Sequence, residues 1–411
     1  MSFQSYNDAV KWLFNQFPSY QNNGASAYKP GLKQTTDLLN VLEITSNEMT
    51  IIHVAGTNGK GSTCSYISSI LTEKNEKVGL FTSPHIFDFR ERIRINGVQI
   101  DEASVIHFCQ RVVDLKLDFE PSFFEVTFAM AMDHFHRNNC TYAVIETGMG
   151  GRLDSTNVLK SNIAVITNIG LDHTQFLGET LAEIAKEKAG IIKSSQPVII
   201  GQTQVELQEI FTRKALSQDA QIYFADREKY EILDLIELPN LQKINLRTAL
   251  CALDKLNVSV SKETLKNALK NIIRNTGLFG RFTKLNENPL IYLDVSHNQE
   301  GIQATLTDLE NVPFDRLHVV YGSSQDKNAS NILSLFPENA HIHLCEFRNN
   351  RSLKEADLLA LKQFDHRILS VSNNVNSTVK KLQQEVSHQD LILVTGSFFL
   401  LSDVDLDLFH G

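Results

Sequence analysis

The chain has 411 residues, of which 42% are hydrophobic and 21% charged, and a formal net charge of −9. That length exceeds what one hydrophobic core usually serves, so two domains are expected, and the composition excludes disordered, collagenous and fibrous classes. The acidic balance argues against a general nucleic-acid binder, which needs a basic surface to displace counterions from phosphates, so any anionic ligand must be gripped locally.

In chain order, the first clear strand is Ile51 to Ala55, and it runs into Gly56-Thr57-Asn58-Gly59-Lys60-Gly61-Ser62-Thr63. Cys64, Ile67, Ile70 and Leu71 then recur at helical spacing, giving strand, glycine loop and helix. Glycines let backbone N–H groups close around phosphate oxygens, the helix N-terminus adds positive potential, Lys60 can neutralise outer phosphates, and Ser62 or Thr63 can reach a magnesium ion. The spacing is not that of a Walker loop, because only two residues separate Gly56 from Gly59 and Gly61 stands between the lysine and the hydroxyl residue. The plainer alternative is a glycine-rich turn with no ligand.

Ile93 to Ile100 alternates apolar and polar residues on both sides of Asn96-Gly97, which predicts a two-residue β-hairpin inserted into the first domain. Arg90, Arg92 and Arg94 alternate along its first strand and would share one face, either drawing in anionic substrate or lying as a solvated edge.

The strand Ala143 to Ile145 ends at Glu146 beside the glycine turn Thr147 to Gly151, where a carboxylate could hold magnesium against phosphates or stand as a solvated strand terminus. Ile163 to Thr167 leads to His173, a second candidate ligand or an ordinary hydrogen-bonded histidine. Thr180 and Glu183 read as a capping box opening a helix on which Lys188 falls on the apolar stripe, while Lys186 and Glu187 point outward. A lysine there either snorkels or hides an ion pair, or its pKa falls until carbon dioxide can carbamylate the neutral amine.

Val198 to Gly201 closes the first strand series. Two glycines in Asn275 to Gly280 mark the domain change, giving domains 1–279 and 280–411, and Leu290 to Asp294, Leu317 to Tyr321 and Leu391 to Thr395 follow as further strands. The fold class expected is α/β: a P-loop-type, doubly wound, mainly parallel sheet with an inserted hairpin, then a smaller Rossmann-like α/β domain. Open sheets of this kind bind ligands beyond the carboxyl ends of their strands.

Cys64, Cys109, Cys140, Cys251 and Cys345 are scattered, without zinc or redox spacing, as expected of a reduced, cytoplasmic protein. The first residues lack the basic-then-apolar order of a signal peptide and no apolar run is long enough to span a bilayer, so no membrane partner is expected.

Taken together, His53 to Ser62, Thr82-Ser83-Pro84-His85 with Glu91-Arg92-Ile93, Glu146, Gly150 to Asn157, Asp172-His173 and Glu187 to Ile191 resemble the folylpolyglutamate synthases. The likeness is to the bacterial type that also acts as dihydrofolate synthase, within the Mur ligase superfamily. The resemblance implies that Ser83, Glu146 and His173 bind Mg2+, that Lys188 is carbamylated, and that Lys60, Glu146, His173 and Lys188 are catalytic. It implies an ATP site of Gly56, Thr57, Asn58, Gly59, Lys60, Gly61 and Ser62, with Asn245, Arg281, Asp294 and His297 from later in the chain. The pteridine substrate would lie near Lys29, Pro30, Gly31 and Leu32, near Ser122, Phe123, Phe124 and Glu125, and near Leu153, Asp154 and Ser155. Val295-Ser296 replaces the family's Gly-Ala, and Thr283 stands where an acidic residue is usual.

The implied reaction is an ATP-dependent amide ligation. Phosphorylation turns the carboxylate of dihydropteroate or the γ-carboxylate of folate into an acyl phosphate, which the amine of L-glutamate attacks. Closure of the second domain over the first would keep water from that intermediate. The implied partners are ATP, L-glutamate and dihydropteroate or folate, with no nucleic acid, the chain acting as a monomer. The alternatives are a ligase acting on a peptidoglycan nucleotide precursor and a nucleotide-binding regulator without turnover.

Overall fold

The computed structural model describes residues 2–17, 30–45 and 48–409. They form two compact units, Met1–Leu238 with Gln242–Leu278, and Pro239–Leu241 with Phe279–Gly411.

The first unit is built on an eight-stranded sheet in the order β4-β3-β2-β5-β1-β6-β7-β8. Its strands are β1 Thr50–Ala55, β2 Val78–Phe81, β3 Ile93–Ile95, β4 Val98–Gln99, β5 Tyr142–Glu146, β6 Ile163–Ile166, β7 Val198–Ile200 and β8 Ile222–Phe224. The neighbours β2, β5, β1, β6, β7 and β8 run parallel, and β3 pairs antiparallel with both β2 and β4. The hairpin turns on Asn96 at φ 46° and Gly97 at φ 85°. Both central residues with positive φ define the turn that Asn-Gly predicts.

β1 is buried on both faces. Ile52 and Val54 join one core with Cys64, Ile67, Ile70 and Leu71 of the helix Lys60–Glu73, while Ile51 joins a second core beneath the helices Glu102–Leu115 and Phe123–Arg137. Because the chain leaves β1 in one direction for β2 and later returns on the other side for β6, the sheet order reverses at β1. Val54 pairs with Glu146 and Ala55 with Ile166, so the carboxyl ends of β5, β1 and β6 lie side by side. This is where open sheets of this class expose room for a ligand.

The second unit has a six-stranded sheet in the order β13-β12-β11-β14-β10-β9. Its strands are β9 Thr283–Glu287, β10 Leu290–Leu293, β11 Leu317–Tyr321, β12 His341–Cys345, β13 Ile368–Ser372 and β14 Leu391–Thr395. Only β9 is antiparallel. The two mainly parallel α/β sheets are those expected from the rhythm of the sequence. Among the described residues no helix is long and apolar enough to cross a membrane.

Candidate active site

The loop after β1 takes its form from its glycines and its neighbours. Gly56 has φ 151°, and a Cβ there would stand 1.8 Å from Thr167 Oγ1. Gly59, at φ 80°, caps the helix Lys60–Glu73, and a Cβ there would stand 2.2 Å from the Asn245 side-chain oxygen. Neither position accepts a side chain without strain. The residues after β6 brace the loop along its length. The Thr57 N–H donates to the Asn168 carbonyl at 2.9 Å and the Asn58 N–H to Asn168 Oδ1 at 2.8 Å. The Thr57 hydroxyl exchanges bonds with the Gly170 backbone, and Thr167 Oγ1 donates to the Asn58 carbonyl at 2.6 Å.

Two lysines converge on this loop. Lys60 Nζ donates to the Gly56 and Thr57 carbonyls, both at 3.1 Å. Lys188, on the helix Leu181–Lys188 opened by the Thr180–Glu183 capping box, donates to the same Gly56 carbonyl at 2.8 Å. Lys188 is 4% exposed, and burial, reinforced by the charge of Lys60, lowers its pKa to about 7. The buried reading of this lysine is therefore correct, and its amine spends part of its time neutral near physiological pH. Lys186 is exposed, but Glu187 is only half so and pairs with Arg152 at 2.8 Å.

Glu146 is 3% exposed, which excludes the solvated strand terminus, and its Oε2 accepts the Ser83 N–H at 3.0 Å. Ser83 and Glu146 are thus brought together at adjacent strand ends, β2 and β5. His173 sits in the left-handed region at φ 51°, held at the start of the short helix Thr174–Leu177 with its N–H on Asp172 Oδ1 at 2.8 Å. Among the described residues no three His, Cys, Asp or Glu side chains assemble into a metal cage. A magnesium ion does not need one, since it is held at nucleotide sites by one or two carboxylates plus phosphate oxygens and water. One buried carboxylate with a serine beside it fits that requirement.

The amide of Asn245, on the helix Asn240–Lys255, lies over Gly59, and its Nδ2 is a buried donor without a hydrogen-bond partner. A buried orphan donor against a glycine loop calls for an acceptor from outside the chain. Ser62 is also buried, in the first turn of the helix that follows the loop, and Gly61 is half-buried beside it.

The residues expected around the pteridine are dispersed and partly occupied. Ser122 and Glu125 form a capping box on the helix Phe123–Arg137, and Glu125 also accepts from Thr35 Oγ1 at 2.9 Å. Ser-x-x-Glu is a readable signal for that role. Phe123 is buried and stacks on Phe14 at 4.4 Å, whereas Phe124 lies against Gly148 in the turn after Glu146. Asp154 caps the 3-10 turn Ser155–Val158 and accepts the Met149 N–H at 2.7 Å; Leu153 and Ser155 flank it half-buried. Pro30, Gly31 and Leu32 lead into the helix Lys33–Val41, with Pro30 exposed; Lys29 lies outside the described residues.

The three arginines do not share a face, contrary to expectation. Arg90 and Arg92 precede β3 in a 3-10 turn, Phe89–Arg92, folded by Glu91, whose carboxylate accepts the N–H groups of Ile86, Phe87 and Asp88. Arg90 pairs with Asp88 at 3.0 Å, and Arg94 bonds the Gly97 carbonyl. Arg92 is 3% exposed, donates to His85 Nδ1 at 2.8 Å and lies over the Phe123 ring. Burial lowers its pKa to about 10 against the opposing pull of Glu146, so it remains a buried cation close to that carboxylate. Alternation suggested a strand here because it cannot register a turn made by one glutamate side chain.

Residues 54–286 match the Mur ligase middle domain, and residues 280–398 the Mur ligase glutamate ligase domain. The dihydrofolate synthase/folylpolyglutamate synthase of Bacillus subtilis is 31% identical, over 98% of this chain and 99% of its own length. The chain belongs to the dihydrofolate synthase/folylpolyglutamate synthase family. Among solved structures, E. coli FolC in complex with DHPP and ADP superposes with a TM-score of 0.85 at 26% identity, covering 97% of this chain and 96% of that one. The Yersinia pestis bifunctional enzyme complexed with AMPPNP and Mn ion gives 0.84 at 27% identity, covering 97% and 98%.

In the second unit, the residues that the resemblance assigns to the nucleotide are built differently from those around the glycine loop. Asp294, at the end of β10, is 6% exposed and accepts from the Phe282 N–H at 2.7 Å, the Ser296 N–H at 2.9 Å and Thr305 Oγ1 at 3.2 Å. His297 Nδ1 lies 3.0 Å from the Val295 carbonyl, and the Arg281 guanidinium lies 5.1 Å from the Phe398 ring centre. Val295, which departs from the family's glycine, is fully buried with its N–H on the Gly280 carbonyl at 2.9 Å. The hydroxyl of Ser296, the second departure, is held by Thr305 at 3.1 Å.

Proposed function

We propose that this protein is an ATP-dependent ligase that joins L-glutamate to the carboxylate of dihydropteroate, to the γ-carboxylate of folate, or to both. The observation that carries this reading is the loop Gly56 to Ser62, braced by Asn168 and facing the two lysines, at the point where the sheet order reverses. Full-length similarity to a dihydrofolate synthase/folylpolyglutamate synthase supports the choice of acid over a peptidoglycan precursor.

In this reading the loop N–H groups and Lys60 hold the triphosphate, Lys60 leaving its present carbonyl partners for phosphate oxygens. Asn245 Nδ2 supplies a further donor at Gly59. Ser83, Glu146 and His173 would hold Mg2+, which when bound neutralises charge on the phosphates. The acid substrate lies beside the turn after Glu146, near Phe124 and Leu153 to Ser155, so that its carboxylate meets the terminal phosphate. The glutamate amine then displaces phosphate from the acyl phosphate. Arg281, Asp294 and His297 belong to the nucleotide side of this reading. Asp294 there accepts from the Phe282 and Ser296 N–H groups and from Thr305.

Carbamylation of Lys188 is part of the proposal. Its low pKa supports it, since only the neutral amine attacks carbon dioxide. The protein incubated with 13C-bicarbonate should show one carbamate carbon signal that Lys188→Ala lacks. A reduced, cytoplasmic monomer completes the reading, supported by five buried free cysteines. The decisive experiment is phosphate release from ATP and glutamate with dihydropteroate, tetrahydrofolate or a UDP-linked sugar acid as acceptor. Turnover only with the last, or with none, would overturn the reading.

A further inference from the structure

The strand that feeds the glycine loop carries a polar side chain with no part in nucleotide binding. His53, in the middle of β1, is fully buried, and its Nε2 stands 2.8 Å from Thr156 Oγ1. The Thr156 hydroxyl donates to Asp154 Oδ1, which also accepts the Thr156 N–H at 3.0 Å, and Asp154 Oδ2 accepts the Met149 N–H. Since the hydroxyl proton points to Asp154, Thr156 accepts from His53, and the imidazole must carry its proton on Nε2. Three elements are therefore joined in one line: β1, the turn after Glu146 through Met149, and the 3-10 turn Ser155–Val158.

The remaining nitrogen, Nδ1, is buried without a hydrogen-bond partner. An orphan acceptor of this kind carries an uncompensated desolvation cost that an aliphatic side chain would remove. Burial, with the charge of Lys193 nearby, holds the imidazole neutral by lowering its pKa to about 3. His53 thus exchanges no proton in the working range and serves as a fixed donor.

We infer that His53, acting through Thr156 and Asp154, is a positioning residue for the acceptor-acid subsite in the turn beyond Glu146. The inference rests on the proposed reading that the acid lies near Leu153 to Ser155. The line ends on Asp154 and Met149, so its loss shifts the acid's surroundings while the loop braced by Asn168 keeps its own bonds.

The test is steady-state kinetics of the full chain with dihydropteroate and ATP varied in turn. His53→Leu and Thr156→Val each raise the KM for the acid about tenfold, a single hydrogen bond's worth of binding, and leave the KM for ATP within about twofold. The double variant is no worse than either single, because both break the same line. His53→Gln and Thr156→Ser, which keep a donor and a hydroxyl, restore most of the acid affinity, and the pH profile of kcat/KM does not move. An unchanged KM for the acid, an equal rise for ATP, or additive losses would overturn the inference. Should the variants fail to fold, 15N-histidine spectra of the wild-type protein decide instead. A single Nε2–H tautomer from pH 5 to 8, perturbed by dihydropteroate, supports the line, and an Nδ1–H tautomer, a titrating ring or a signal indifferent to the acid refutes it. Wild-type protein that releases no phosphate with any pterin acid would instead remove the underlying reading, an outcome separate from these.

Discussion

The carboxyl end of β1 and the carboxyl end of β10 belong to two mainly parallel sheets, and each is followed by polar residues that the resemblance assigns to the nucleotide. They are built to opposite ends. Beside β1, two lysines crowd one carbonyl, Lys188 is pushed toward neutrality, and Asn245 keeps a buried donor unmatched. Beside β10, Asp294 is met by two backbone N–H groups and a hydroxyl. A buried polar group bonded from within has part of its capacity committed to holding the chain in shape, whereas an unmatched donor awaits a ligand.

That contrast can be broken by substitution. Lys60→Ala and Glu146→Ala should each lower turnover by at least about a hundredfold while circular dichroism stays native, since both groups act on the charge of the phosphates. A parallel loss of folded signal would make them structural instead. Gly59→Ala comes next. Its methyl would sit 2.2 Å from the Asn245 oxygen at φ 80°, so the KM for ATP should rise at least about tenfold, with the KM for the acid little changed.

Lys188 offers a test of stability against pH. The unfolded lysine keeps its proton up to its ordinary 10.5, the folded one only to about 7, so the penalty for burying the charge is complete below pH 7 and lifts as pH rises above it. In buffers free of carbon dioxide, Lys188→Met should therefore melt above the wild type at pH 6, with the gap narrowing by pH 9. A constant gap would mean that the amine titrates normally. In activity assays, Lys188→Ala should be inactive and partly restored by added short carboxylates.

The β10 side predicts a loss of stability. Asp294→Ala leaves two part-buried N–H groups without their carboxylate, and the denaturation midpoint should fall by an amount worth about 1 kcal/mol. The smallest effect belongs to Arg152→Ala. Its pair with Glu187 is more than half exposed on the arginine side, and its loss should cost at most about 1 kcal/mol and vanish in high salt.

Most of the framework was legible because buried parallel strands are short β-branched runs. All seven strands so named are present, from Ile51 to Ala55 through Leu391 to Thr395. Two of those that went unread break the pattern. β2 carries Gly79, which lies against the Phe135 ring where a side chain would clash, and β12 carries two histidines. The glycine loop and Lys188 were visible through spacing alone. Glu146 was visible only as a choice, since burial decides between a solvated terminus and a held carboxylate and no local pattern encodes it. The role of Glu91 is local, an Asp88–Glu91 capping box that the reading of alternation passed over, whereas the line from His53 was not legible, because His53 and Thr156 stand 103 residues apart and meet only on folding.

The fastening of the glycine loop has one more consequence. Five bonds from Thr167, Asn168 and Gly170 hold Thr57 and Asn58, and with them the curve of the loop, before any anion arrives. Folding has already frozen the freedom that a slack loop would surrender on capture, so nucleotide association should be quick and carry little entropic penalty.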